Sequence, residues 1–229
     1  MTTEIENAVD RLAAALHARL ADRERRPLSE SLSSESHSDT ALAAVRVLGC
    51  DVLAPALARG EPPCATERAV LAEALNRLPA TSAQPVEVRM ISIAVSGFAL
   101  NGDCAPAAAE QACNEWWWQV GDSDWRELAR SLMWLAPMAW PHTSGFAIRK
   151  LAQREIDVGR AVTRALMRRD YAAAARLCRW AALVEAGGAT VGLDLGKVLE
   201  RLELVSGGGP QTALHTVLGR LALTAGGAR

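Results

Sequence analysis

QPVEVRMISIAVSGFAL, residues 84–100, is the stretch on which the fold class turns. Its valines and isoleucines suit a pleated strand, where β-branched side chains pack well. A strand needs partners, and an isolated one is not viable. Nowhere else does an alternating run of β-branched or aromatic residues offer one. Pro85 fits the first turn of a helix, where a missing N–H is no loss. The stretch is therefore predicted as a buried helix, and the chain as all-α.

Toward the N-terminus, Thr66 heads ERAVLAEALNRL, a capped helix that stops before Pro79. Ser38 or Asp39 caps a further helix over roughly 40–50. Ile5, Val9, Leu12, Leu16 and Leu20 recur at helical spacings and form one apolar stripe over residues 3–25. Between these helices, RRPLSESLSSESHSD (25–39) is serine-rich and polar, the composition of a mobile linker. The expected organisation is an N-terminal helix (1–25), a linker (26–38) and one helical body (39–229). The first helix then packs as a detachable arm on that body or on a second copy.

Toward the C-terminus, NGDCAP (101–106) is a turn, followed by a helix over 106–120 that Gly121 ends. Ser123 or Asp122 caps the next, over 124–136. A two-proline bend, APMAWPHTSG (136–145), leads to a long helix of 145–169, interrupted at Gly159. Further helices are expected at 171–186, 194–205 and 211–224. The total is eight to ten helices, packed as antiparallel pairs in a bundle or a short curved solenoid.

DWRELARSLMWLA (124–136) is echoed by DYAAAARLCRWAA (170–182). Asp124 aligns with Asp170, Trp125 with Tyr171 and Trp134 with Trp180, about 46 residues apart. The echo resembles helix-pair repeats of the HEAT and armadillo type, whose signatures are absent. It supports stacked helix pairs, or two unrelated helices that share a cap and a core aromatic.

The 229 residues, half of them hydrophobic, can bury a core without disulfides or metals. A net charge of −1 argues against a general role in coating nucleic acid or anionic membrane. No charge-free run of about 18 apolar residues predicts a membrane span. The acidic, amphipathic MTTEIENAVDRL does not read as a signal peptide. Five cysteines without a Cys-x-x-Cys pattern suggest buried thiols in a reducing cytoplasm. His17, His37, His142 and His215 lack metal-pair spacing. GGATVGLDLGK fails as a phosphate loop because Val198 follows Lys197. No metal or cofactor is expected.

NEWWWQVGDSDW (114–125) holds four of the seven tryptophans. Successive helical residues point about 100° apart, so Trp116, Trp117 and Trp118 fan over about 200°. One core face cannot hide them all. The spare indoles line a ligand pocket, meet a protein partner or second subunit, or belong to a helix buried on every side. Trp134 and Trp180, among leucines, are expected in the core. Glu115 sits beside the triplet and Asp103 in the turn before its helix. Either carboxylate could move a proton from beside an apolar wall. His142 and Trp140 share the aromatic bend, where His142 is a possible general base or a satisfied polar group. Residues 149–179 carry nine basic side chains, of which Arg160, Arg164 and Arg168 line one helix face. That face suits sulfate, phosphate, an acidic partner or simply solvent.

Composition and the want of catalytic motifs resemble those of orphan accessory enzymes in actinomycete specialised metabolism. The resemblance implies a cofactor-free enzyme that closes a small ring, such as an aziridine, with loss of sulfate, or catalyses an elimination. Trp116–Trp118 would orient the small-molecule substrate, Glu115 or Asp103 would steer an amine, and Arg149 would receive the departing anion. The alternative is a helical interaction module that uses exposed tryptophans as anchors.

Overall fold

The computed structural model describes residues 2–22, 38–101, 106–140, 145–205 and 209–226. Among these residues the chain is all-α, with ten helices of ten residues or more, two shorter ones, and no strand. It falls into two compact units, residues 1–109 and 110–229. The predicted linker (26–38), apart from Ser38, lies outside the described residues, as do Asp103, Cys104 and His142.

The N-terminal unit holds α1 (Thr2–Asp22), α2 (Asp39–Leu48), the short α3 (Ala54–Leu57), α4 (Ala65–Arg77) and α5 (Val86–Asn101). Helix α1 packs on α2 and α3, α2 on α4, and α4 on α5. The predicted stripe of α1 is its buried face, where Val9, Leu12 and Leu16 are sealed from water along with Ala8 and Ala13. This helix is therefore part of the unit's own core. Ser38 caps α2, its Oγ accepting the N–H of Ala41 at 3.2 Å. The segment Asp39–Leu57 is long and apolar enough to cross a membrane, with mean hydropathy 1.6, but 67% of that window is buried inside the fold.

The stretch 84–100 is helical from Val86 onward, as α5, with Pro85 just before its start and Met90, Ile91, Ala94, Val95 and Phe98 buried. Packing overrides the β preference of its branched residues. The cap of α4 differs from expectation, being Cys64 and not Thr66. Glu67 Oε2 accepts the Cys64 N–H at 3.0 Å, and Glu67 Oε1 lies 3.9 Å from Arg19 Nη2. One buried carboxylate thus serves the start of α4 and a cation of α1. Arg46 ties α2 to the rest of the unit, donating from Nε to Leu78 O (3.1 Å) and from Nη2 to Ser92 Oγ (2.9 Å). Its burial pushes the guanidinium pKa down.

Helix α6 (Pro106–Val120) passes from the first unit into the second at residue 110. The C-terminal unit then adds α7 (Trp125–Trp134), α8 (Gly145–Leu151), α9 (Glu155–Met167), α10 (Tyr171–Ala186), α11 (Leu195–Leu204) and α12 (Gly209–Gly226). Its axis is α10, which has eleven of sixteen residues buried and touches α7, α8, α9, α11 and α12. Its alanines let α12 approach closely, and Gly219 of α12 sits against Leu199 and Arg179.

The echoed segments share their cap. Asp124 Oδ1 accepts the N–H groups of Arg126 (2.6 Å) and Glu127 (3.2 Å), and Asp170 Oδ1 accepts that of Ala173 (3.0 Å). The cap of α7 is thus Asp124, not Ser123 or Asp122. The shared aromatic diverges. Trp180 is buried, with its indole N–H donated to Leu132 O at 2.9 Å, but Trp134 is 61% exposed. Its position lies about 200° around α7 from the buried Leu132, so the expectation of a core Trp134 is corrected. The long helix expected over 145–169 breaks at a 3-10 turn, 152–154, and runs unbroken through Gly159. Cys50, Cys113 and Cys178 are buried, and burial pushes the Cys178 thiol up to about 12. Cys64 is exposed, contrary to the expectation of buried thiols.

Because α1 is core, Leu16→Ala is expected to destabilise the fold by about 2–5 kcal/mol. Thermal and urea unfolding followed by circular dichroism measure it; an unchanged midpoint would mean that the fold does not depend on α1.

Candidate functional site

The angular fan of the tryptophan triplet is realised on α6. Trp116 points inward and is fully buried, its indole N–H donated to Ser131 Oγ at 2.6 Å. Trp117 is half-buried and packs edge-on against Trp116, with ring centroids 5.7 Å apart and planes at 64°. The ammonium of Lys150 lies 6.0 Å from the Trp117 ring. Trp118 is 88% exposed. Glu115 and Arg149 are exposed. Of the predicted site residues the fold therefore brings Trp116 and Trp117 together and leaves Trp118 facing water.

Trp140 lies elsewhere in the unit. It is buried, with the guanidinium carbon of Arg179 5.7 Å from its ring. Arg179 is itself fully buried, donating from Nη1 to His215 Nδ1 at 3.0 Å and approaching Ala139 O at 3.4 Å. Arg176 Nε stands 3.5 Å from His215 Nε2. A neutral imidazole offers one lone-pair nitrogen, and the shorter contact makes that nitrogen Nδ1. Nε2 then carries the hydrogen, and the longer contact is not a hydrogen bond. Burial holds the His215 pKa well below its usual 6.5, and the charges of Arg179 and Arg176 push the same way.

The basic run of 149–179 is thus divided among several tasks. Arg154 clamps the α6–α7 turn, donating to the carbonyls of Gly121 and Ser123 and pairing with Asp157 at 2.7 Å. Arg176 and Arg179 turn inward. Arg160, Arg164 and Arg168 stay on the exposed face of α9, and there the surface opens into a groove of about 510 Å³. Trp125 forms one side and Val191, Gly192 and Leu193 another. Two guanidiniums lie near the Trp125 ring, Arg126 at 4.6 Å from its centroid and Arg164 at 5.6 Å. Gly159 makes the groove possible, since a Cβ there would run into the backbone carbonyl of Val191. Ile156 and Met167 are exposed by 63% and 82%.

Arg160, Arg164 and Arg168 of the predicted basic face line this groove, but none of the described residues expected to catalyse or bind substrate does. A signal for it was present in the sequence. Ile156 and Met167, eleven residues apart, return to the same face of α9 within about 20°, and Arg160, Arg164 and Arg168 fan out beside them. That face lies away from Val158, Val162 and Ala165, the buried stripe. Two large apolar residues off the core stripe, bordered by a row of arginines, are what an unfilled docking face looks like.

No family model matches the chain, and no curated protein or solved structure does either. What the site does must follow from its own chemistry.

Gly159→Ala is expected to force the 191–193 loop off α9, costing about 1–3 kcal/mol and reshaping the groove. Unfolding midpoints together with amide shifts of Val191–Leu193 check this. His215 gives a pH dependence. Its folded pKa lies below the unfolded value, so as pH falls through about 6.5 the unfolded chain gains a proton that the folded chain refuses. Stability is expected to drop below about pH 6.5 more steeply in the wild type than in His215→Gln. Parallel denaturant titrations at pH 7 and pH 5 compare the two; equal losses would place the acid sensitivity elsewhere.

Proposed function

We propose that this chain is a docking module, acting in the cytoplasm, whose C-terminal unit presents surface indoles and the α9 groove to a partner protein. The observation that carries this reading is Trp118, left 88% exposed. Tryptophan is highly buried on average and is enriched where proteins bind. Trp134, Ile156 and Met167 add apolar surface on the same unit. Scattered singly such residues mean little, but here two of them flank a formed groove.

The ring-closure enzyme is the second reading, favoured by one observation. A volume of about 510 Å³ falls in the range of small-ligand sites, and three arginines border it. A departing sulfate could settle against such a row. Against it, Glu115 is exposed and Trp116 has its N–H committed to Ser131, so the triplet does not wall off a reaction from water.

A photo-crosslinking amino acid placed at position 118 or 134 in producing cells tests docking. Capture of one discrete protein, lost on Trp118→Ala or Trp134→Ala at the other position, is expected. Absence of any discrete adduct, together with an indole emission shift on adding a sulfated amine, would transfer the case to the enzyme.

A further inference from the structure

The groove itself says something about what it holds, and this step rests on the docking reading above. We propose that the partner element lying along α9 is an acidic amphipathic helix, its carboxylates ranged against Arg160, Arg164 and Arg168.

Charge comes first. Arg164 and Arg168 are exposed and have no carboxylate partner among the described residues. Arg160 shares Asp157 with Arg154, so that single acid is divided between two cations. The rim therefore carries surplus positive charge on a chain whose net charge is −1. A complementary surface must bring acids.

Spacing selects the form in which they come. The three arginines recur every four residues, about 6 Å apart along the axis of α9. A second helix laid along α9 repeats side chains at the same interval when its acids also fall every fourth residue. Shape adds the apolar requirement. Ile156 and Met167 stand about 16 Å apart on the face beside the arginines, with Val191 and Leu193 at the groove wall. A helix can offer an acidic stripe and an apolar stripe side by side within one broad face. An extended segment cannot, because alternate residues point in opposite directions. A nucleic acid would set phosphates against Ile156 and Met167. A base stacking on Trp125 would also have to compete with Arg126 and Arg164, both already against its ring.

The probe is a dye-labelled synthetic helix of about 18 residues, with glutamate at every fourth position and leucines on the adjoining stripe. It is titrated against the full chain by fluorescence anisotropy. Saturable binding is expected, weakening as salt rises. Arg164→Glu with Arg168→Glu should cut affinity about tenfold or more, and Arg164→Gln with Arg168→Gln should cut it less. A peptide carrying lysines in place of the glutamates should prefer the charge-reversed chain. The arginines are exposed, so the variants should keep the wild-type circular dichroism spectrum, and the glutamine pair guards against a folding artefact.

Equal binding of a peptide with glutamine for glutamate, or indifference to arginine reversal, would overturn the acidic partner. If Met167→Asp abolished binding in that case, the docking reading would stand with a neutral helix as occupant. If no peptide bound and a short oligonucleotide did so in an arginine-dependent way, the proposal would fail in favour of nucleic acid. Failure of the docking reading shows separately, as silent crosslinkers at positions 118 and 134.

Discussion

Helix α10 can serve as the axis of the C-terminal unit only because it is clothed largely in alanine. Ala173, Ala174, Ala175, Ala181 and Ala182 are buried, and their small side chains let neighbouring helices approach on nearly every side. A helix surrounded in this way must be apolar around its whole girth. The two large groups that break the rule each have a structural answer. Trp180 places its N–H on a carbonyl of α7, and Arg179 places its charge against an imidazole nitrogen and an indole face. A buried guanidinium without such partners would be prohibitive. The Arg179–His215 contact also fixes the state of the histidine. Any proton added there would sit between two cations, so protonating His215 would weaken the interior of this unit.

That axis decides which faces are left over. Helices α7 and α9 turn their narrow buried stripes toward α10, and whatever lies opposite meets water. On α7 the residue so placed is Trp134, and on α9 it is the Ile156–Met167 face. The tryptophan triplet obeys the same geometry one helix earlier. Trp116 takes the inward direction, Trp117 the flank, and Trp118 the outside. Covering an indole of about 150–250 Å² at about 25 cal/mol per Å² is worth about 4–6 kcal/mol before ordering costs. An uncovered Trp118 is therefore a standing driving force for association.

The sequence was most legible where periodicity and caps agree. The first helix, the α10 boundaries and the helical state of residues 84–100 all followed from apolar spacing and the lack of any strand partner. Caps were less legible, because several polar residues stand within a turn of each helix start. Asp124 competes with Asp122 and Ser123, and Cys64 took a role that composition assigns to Thr66. Trp134 shows why an echo misleads. Alignment transfers residue identity but not burial, and Trp180 lies on a helix enclosed all round while Trp134 lies on one with a single buried stripe. For the candidate site, the sequence located the anomaly at the triplet and the arginine row on α9. It could not show that the loop 191–193 comes against Gly159, since that closeness joins residues some thirty positions apart.

Catalysis and docking ask opposite things of a concave surface. A reaction that depends on a carboxylate and a departing anion needs both groups held on one substrate with water shut out. The α9 groove is open to solvent, and its charged groups are all cations, Arg160, Arg164 and Arg168. A small ligand there would leave much of itself in solvent, whereas bound ligands are usually mostly enclosed. A helix has no such need. It brings its own hydrogen-bonded backbone, so only its contacting stripe must find partners. The two exposed apolar residues of α9 are then far enough apart to fix its direction, which a compact substrate could not exploit. The openness that counts against chemistry is what an elongated partner requires.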